Sequence, residues 1–313
     1  MIASNRTVDS SYDLSAVPPV VQQIGNTPLL QLEKVLPPNK AVDIFVKAEW
    51  LNPGGSVKDR AAWWIIRQAI EQGHLKEGDE IIDATSGNTG IGYAMVCNSL
   101  DISLTLCIPS NSSPERVNIL KAYGVTLVFT DPLEGTDGAI QRVKEILSDQ
   151  PDRYFWADQY NNSANWQAHY NSTGPEIWDQ TEGKLTHWVA AIGTTGTFVG
   201  TSRFLKEKNP NISCLTVQPD TPFHGIEGTK HIETSIVPGI YDPTLVNAEI
   251  EVTTEEAFEM TKRLAREEGL LVGFSSGAAL AGIHQIAEQL ESGIIVTVFP
   301  DRGERYLSEK IWE

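Results

Sequence analysis

Cysteine is scarce in this sequence. There are three in 313 residues, at 97, 107 and 214, and no two form a CxxC pair. Three thiols cannot pair completely, and Cys107 and Cys214 sit inside apolar runs, so buried free thiols in a reducing compartment are expected. Basic residues are also few: 24 Lys and Arg stand against 41 Asp and Glu, a net charge of −17. Such a surface repels phosphate backbones and anionic lipid, so neither nucleic acid nor a membrane is expected as a partner. No apolar run approaches the length of a membrane span, and the opening MIASNRTVDSSYDLS has no signal-peptide h-region. A cytoplasmic location is therefore the expectation. His224 and His231 have only Glu227 between them and no cysteine at ligand spacing, so no metal site is expected.

What the chain does have is a regular alternation. Short, nearly continuous apolar runs lie at 43–48, 80–84, 104–108, 125–129, 188–192, 214–218 and 294–299. Runs of that kind suit strands covered on both faces. Helical patterns lie between them. Residues 57–72 carry Ala61, Ile65 and Ala69 at fourfold spacing and stop at Gly73. Ser113-Pro114-Glu115 reads as an N-cap, a first-turn proline and an acid facing the helix dipole, and 255–268 is a helix closed by Gly269. Strand–helix alternation predicts an α/β protein with mostly parallel sheets flanked by helices. The length suggests two domains with a sizeable core, and 1–13 read as a flexible tail.

Three loops follow apolar runs and open helices, which is where ligands bind in parallel α/β folds. The first is Asn52-Pro53-Gly54-Gly55-Ser56-Val57-Lys58-Asp59-Arg60. A lysine in the first helical turn feels the positive end of the dipole, which favours its neutral, nucleophilic form. A solvated surface lysine fits the spacing equally. The second is Thr85-Ser86-Gly87-Asn88-Thr89-Gly90, whose hydroxyls and N–H groups could hold a carboxylate or simply cap a turn. The third, Gly193-Thr194-Thr195-Gly196-Thr197, offers N–H groups and hydroxyls without a lysine. It lacks both the Walker A Gly-Lys-Ser/Thr and the dinucleotide GxGxxG, which leaves a bound phosphate monoester or an ordinary Gly-Thr turn. A phosphate, a carboxylate and an amine nucleophile together suit pyridoxal 5′-phosphate and an amino acid.

These motifs resemble those of the cysteine synthases, the O-acetylserine sulfhydrylases among the fold-type II pyridoxal-phosphate enzymes, and the B branch in particular. The likeness runs from Gly25-Asn26-Thr27-Pro28-Leu29 to Pro300-Asp301-Arg302-Gly303-Glu304-Arg305-Tyr306-Leu307-Ser308, and includes Asp158-Gln159-Tyr160, Thr173-Gly174-Pro175-Glu176-Ile177-Trp178 and Gly273-Phe274-Ser275-Ser276-Gly277. The resemblance implies a tryptophan synthase β-like fold. In it, 14–46 and 161–313 form a larger cofactor-binding domain and 47–160 a smaller mobile domain, usually within a homodimer. It also implies that Lys58 carries pyridoxal 5′-phosphate and moves the α-proton. Asn88 would meet the cofactor's ring oxygen, Gly193, Thr194, Thr195, Gly196 and Thr197 its phosphate, and Ser275 its ring nitrogen. Thr85, Ser86, Gly87, Thr89 and Gln159 would hold the substrate.

The implied reaction is a β-replacement making L-cysteine from O-acetyl-L-serine and sulfide through an α-aminoacrylate. The alternatives are another donor such as O-phosphoserine, with a nucleophile such as homocysteine or thiosulfate, or a non-catalytic binder of the serine acetyltransferase tail. Serine acetyltransferase could also be a partner of the active enzyme. The sequence departs from relatives at Ser112, where methionine is common, and over 223–231, whose His224, Lys230 and His231 read as solvated loop residues or as an anion site.

Overall fold

The computed structural model describes residues 12, 14, 17–37 and 42–312, so the expected tail lies almost wholly outside the described residues. The strands in chain order are β1 (Leu29–Gln31), β2 (Val42–Ala48), β3 (Glu80–Ala84), β4 (Ser103–Pro109), β5 (Thr126–Thr130), β6 (Tyr154–Trp156), β7 (His187–Ala191), β8 (Ser213–Pro219), β9 (Ala248–Val252) and β10 (Gly293–Phe299). The helices are α1 (Lys58–Glu71), α2 (Asn88–Ser99), α3 (Pro114–Ala122), α4 (Gly135–Asp149), α5 (Ser163–Asn171), α6 (Thr173–Gln180), α7 (Gly196–Lys208), α8 (Thr254–Arg263) and α9 (Phe274–Ala287).

The strands form two sheets, ordered β1-β2-β10-β7-β8-β9 and β5-β4-β3-β6. Every pairing is parallel except β1 against β2. The α/β architecture expected from the alternation is therefore what forms. The chain lays down β1 and β2 of the larger sheet, builds the whole smaller sheet between 80 and 156, and returns with β7. All seven apolar runs are strands; helices cover the sheets and bury the interiors of β3, β8 and β10, whereas β5, at an edge, is only half-buried.

β1, β6 and β9 carry no such run. β9 is an edge strand in which only Ile250 and Val252 are buried while Glu249 and Glu251 face water. Its alternation is that of a half-covered strand, and a search for continuous apolar runs passes over it. Ser113 does cap α3, accepting from the Arg116 N–H at 3.4 Å. The helix expected at 255–268 begins with a Thr253–Glu256 capping box, loosens into one π-turn at Leu264–Glu268, and ends at Gly269 with φ +73°.

A buried ionic cluster ties α1 to the larger sheet. Glu49 accepts from Arg60 at 2.8 and 2.7 Å, from Thr27 at 2.6 Å and from Asn52 at 2.8 Å. Arg60 reaches on to Glu176 of α6 at 2.6 Å, and Lys47 of β2 meets Glu176 at 2.7 Å. Cys97, Cys107 and Cys214 are free and buried, as expected.

Candidate active site

The carboxyl ends of β2, β3, β7 and β10 feed the loops around one cleft. Lys58 is the first residue of α1. Its loop is pinned to the end of β10, where the Val57 N–H donates to Pro300 O at 2.8 Å. Gly55 turns with φ +82°, and the Gly54 N–H donates to Asp59 at 2.6 Å. Burial pushes the Asp59 carboxyl up to about 7, against the pull of that N–H. Lys58 lines a cavity with Asn88, Gly193, Thr194, Thr195, Thr197 and Ser275. Its amine is held below the usual lysine range chiefly by burial, opposed by the charges of Asp301 and Glu49. Desolvation favours the neutral amine at this position.

The Gly-Thr turn follows β7 and starts α7. Thr195 sits at φ +68°, left-handed for a β-branched residue, and its Oγ1 is buried without a partner. The glycines serve close approach: a Cβ on Gly193 would stand 2.2 Å from Gly228 O, and one on Gly196 would stand 2.0 Å from Asn165 Oδ1. The second loop lines an adjoining compartment, where Thr85, Ser86, Thr89 and Gln159 share Lys58, Asn88, Gly193 and Thr194 with the first. Thr89 donates to Gln159 at 2.7 Å, and Gln159 donates to Ala84 O at 2.6 Å, so the glutamine is fixed. The structure thus brings the three loops, Gln159 and Ser275 to one place. Gly87 and Gly196 belong to the turns but are not on the lining.

Several lining or supporting residues had no role assigned from sequence. Asn88 donates to Asp301 at 2.6 Å and accepts from Arg305, which also donates to Gly54 O. Tyr306 donates to the same Asp301 oxygen at 2.7 Å. Arg116 on α3 pairs with Glu227 and stacks its guanidinium 4.5 Å from the Tyr306 ring centre. The motif at 300–306 was visible in the sequence, but nothing in it tells which side chains turn inward. Lys230 and His231 correct the solvated-loop reading: both are buried. Lys230 pairs with Asp137 at 2.6 Å beside Tyr160, and His231 bonds Thr234 at 2.8 Å. Asp137 of α4 holds both Lys230 and the Ile236 N–H, and His231 is held within its own loop by Thr234.

A sequence model described as "Pyridoxal-phosphate dependent enzyme" matches residues 20–301. The fold and cleft accordingly define a pyridoxal-phosphate-dependent enzyme of fold type II. Among curated relatives, a cysteine synthase of Aquifex aeolicus is 52% identical over 299 residues, covering 94% of this chain and 91% of its own. Cysteine synthase B of Escherichia coli is 39% identical, covering 93% and 95%. The crystal structure of a cysteine synthase from Entamoeba histolytica superposes with a TM-score of 0.89 at 36% identity, covering 100% of this chain and 93% of that one. This chain belongs to the cysteine synthase (O-acetylserine sulfhydrylase) family.

The residues present fit the family's cofactor. The unpartnered Thr195 hydroxyl at the start of α7 suits a phosphate, and the Lys58 amine, held below the usual lysine range by burial, faces the same cavity.

Proposed function

We propose that this chain catalyses the β-replacement of O-acetyl-L-serine by sulfide, giving L-cysteine and acetate. Pyridoxal phosphate, when bound, supplies the electron sink that lets the α-proton and the β-substituent leave. In this reading Lys58 holds the cofactor's aldehyde carbon, the turn at 193–197 its phosphate, Asn88 its ring oxygen and Ser275 its ring nitrogen. Thr85, Ser86, Thr89 and Gln159 orient the substrate carboxylate. The Lys58 amine, whose pKa burial lowers, takes the α-proton at Nζ. Asp301 and Arg305 lock both ends of the Asn88 amide and so fix its aim.

The observation that carries the choice of donor is one of charge. Among the described residues, the lysine and arginine side chains lining the cleft are Lys58, Arg116 and Lys230. Arg116 is paired with Glu227 and Lys230 with Asp137, while Lys58 is reserved for the chemistry. Glu134, Asp137 and Glu227 line the outer mouth. A phosphate dianion on the donor would meet these carboxylates with no unpaired cation to offset them, whereas an acetyl ester carries no charge into the cleft. The same argument disfavours thiosulfate against sulfide as nucleophile. The relatives named cysteine synthase support L-cysteine as product.

Steady-state rates with both donors test this. The kcat/KM for O-acetylserine should exceed that for O-phosphoserine by about 100-fold, the size of a like-charge penalty of a few kcal/mol. Glu227→Gln frees the charge of Arg116 and should narrow the gap roughly tenfold. Equal rates with the two donors, or a gap indifferent to Glu227→Gln, would sink the proposal.

A further inference from the structure

One face of α5 touches the candidate phosphate turn from behind. Asn165 and His169, four residues apart and both almost wholly buried, each meet a hydroxyl of that turn. The Asn165 amide nitrogen donates to Gln159 O at 2.7 Å and to Thr194 Oγ1 at 3.1 Å. Both its protons are therefore spent, and Thr194 is the acceptor. His169 has Nε2 3.2 Å from Thr197 Oγ1 and Nδ1 2.9 Å from Thr173 Oγ1. The helices are pressed together at this point: a Cβ on Gly200 of α7 would stand 2.0 Å from Trp166 O and 2.8 Å from His169 Cβ. The histidine cannot move away from the turn without unpacking α5 from α7.

We infer that Asn165 and His169 are positioning residues that fix the direction of hydrogen bonding in the turn, so that Thr194 and Thr197 can only donate into the cavity. This rests on the reading above that the turn holds a phosphate. Phosphate oxygens only accept, so Thr197 must give its proton to them and its oxygen must accept from the imidazole. Nε2 then carries the hydrogen, Nδ1 is bare, and Thr173 donates to Nδ1. For a neutral ring this is the arrangement that satisfies all four groups. The ring is neutral because burial, helped by the charge of Arg60, lowers it to about 3. Asn165 does at Thr194 what His169 does at Thr197. It also ties the phosphate turn to the backbone of Gln159, in the other compartment of the cleft. A threonine hydroxyl is otherwise free to rotate into either role, and these two contacts remove that freedom before the ligand arrives.

Nitrogen-15 NMR of the histidine rings in the holoenzyme tests the direction itself. The resonances of His169, identified by their loss in His169→Phe, should be those of the neutral Nε2–H form from pH 6 to pH 9. A ring protonated on Nδ1, or on both nitrogens, would overturn the inference. Phosphorus-31 NMR of the bound cofactor gives a second measure. His169→Phe keeps a ring in place but removes both bonds. It should move the phosphate resonance and speed cofactor loss on dialysis about tenfold, the effect of one hydrogen bond to a charged group. Thr173→Val, a near-isosteric change that does not touch the cavity, should move the same resonance in the same direction by less. If both variants keep the wild-type phosphorus resonance, the positioning role is wrong. If the wild-type holoenzyme shows no bound phosphate resonance at all, the reading of the turn itself fails.

Discussion

Replacing Lys58 with alanine is expected to slow loss of the β-substituent from O-acetylserine by about 10⁴-fold, the upper range for one positioned acid–base group. In the proposed function two roles meet in this amine: holding the cofactor and carrying the α-proton. Lys58→Arg should fail nearly as badly, because a guanidinium stays protonated where burial can render an ammonium neutral. Folding should be spared. The loop is held by backbone contacts, the Val57 N–H on Pro300 and Arg305 on Gly54, which the substitution leaves in place. Borohydride reduction of the wild-type holoenzyme, followed by peptide mapping, should label position 58. A label elsewhere, or an alanine variant with wild-type rates, would contradict the assignment.

The largest effect on stability is expected at Arg60. Its removal as Arg60→Met leaves Glu49 fully buried with only the Thr27 hydroxyl and the Asn52 amide, and loosens Glu176. Breaking a buried pair from one side costs about 3–5 kcal/mol, which corresponds to a melting temperature lower by roughly 6–10 °C. Adding Glu49→Gln should restore more than half of the loss, since the uncompensated charge is what destabilises. The pH dependence has a definite sign. Burial alone would raise the Glu49 carboxyl, but the charge and hydrogen bonds of Arg60 outweigh it and hold the group near 2. The folded state therefore binds fewer protons than the unfolded one between about pH 4.5 and 2. The stabilisation is present above that window and is lost as pH falls through it. Thermal melts at pH 7 and pH 3 should show this acid loss in the wild type and a weaker one in Arg60→Met. An equal acid slope in both would mean that the cluster does not hold Glu49 ionised.

The parts of the fold legible in sequence are those fixed by local composition. Strands sealed between helices read as apolar runs, and Ser113 with Pro114 marked a helix start that the structure keeps. β9 escaped because an edge strand hides its alternation among glutamates. In the cleft, Lys58, Asn88 and the glycine turns stood out because each occupies a short stretch of unusual residues. Arg116, Glu227 and Asp301 did not, because their meaning lies in contacts 111 or 213 residues apart, such as Arg116 with Glu227 and Asn88 with Asp301. No local pattern carries that information. Lys230 misled for the same reason. A polar loop with two glycines reads as solvated, and only Asp137, 93 residues earlier, makes it a buried pair.

The interior placement of all three thiols has a chemical consequence. In the proposed function the enzyme releases cysteine and consumes sulfide, and either would condense with a protein thiol that a peroxide had first oxidised to the sulfenic acid, giving a mixed disulfide or a persulfide with loss of water. Cys97 and Cys107 are shielded, and burial pushes the Cys107 thiol up to about 11, so almost none of it is in the attacking form at neutral pH. On that reading, the buried cysteines offer the product no accessible thiol to cap.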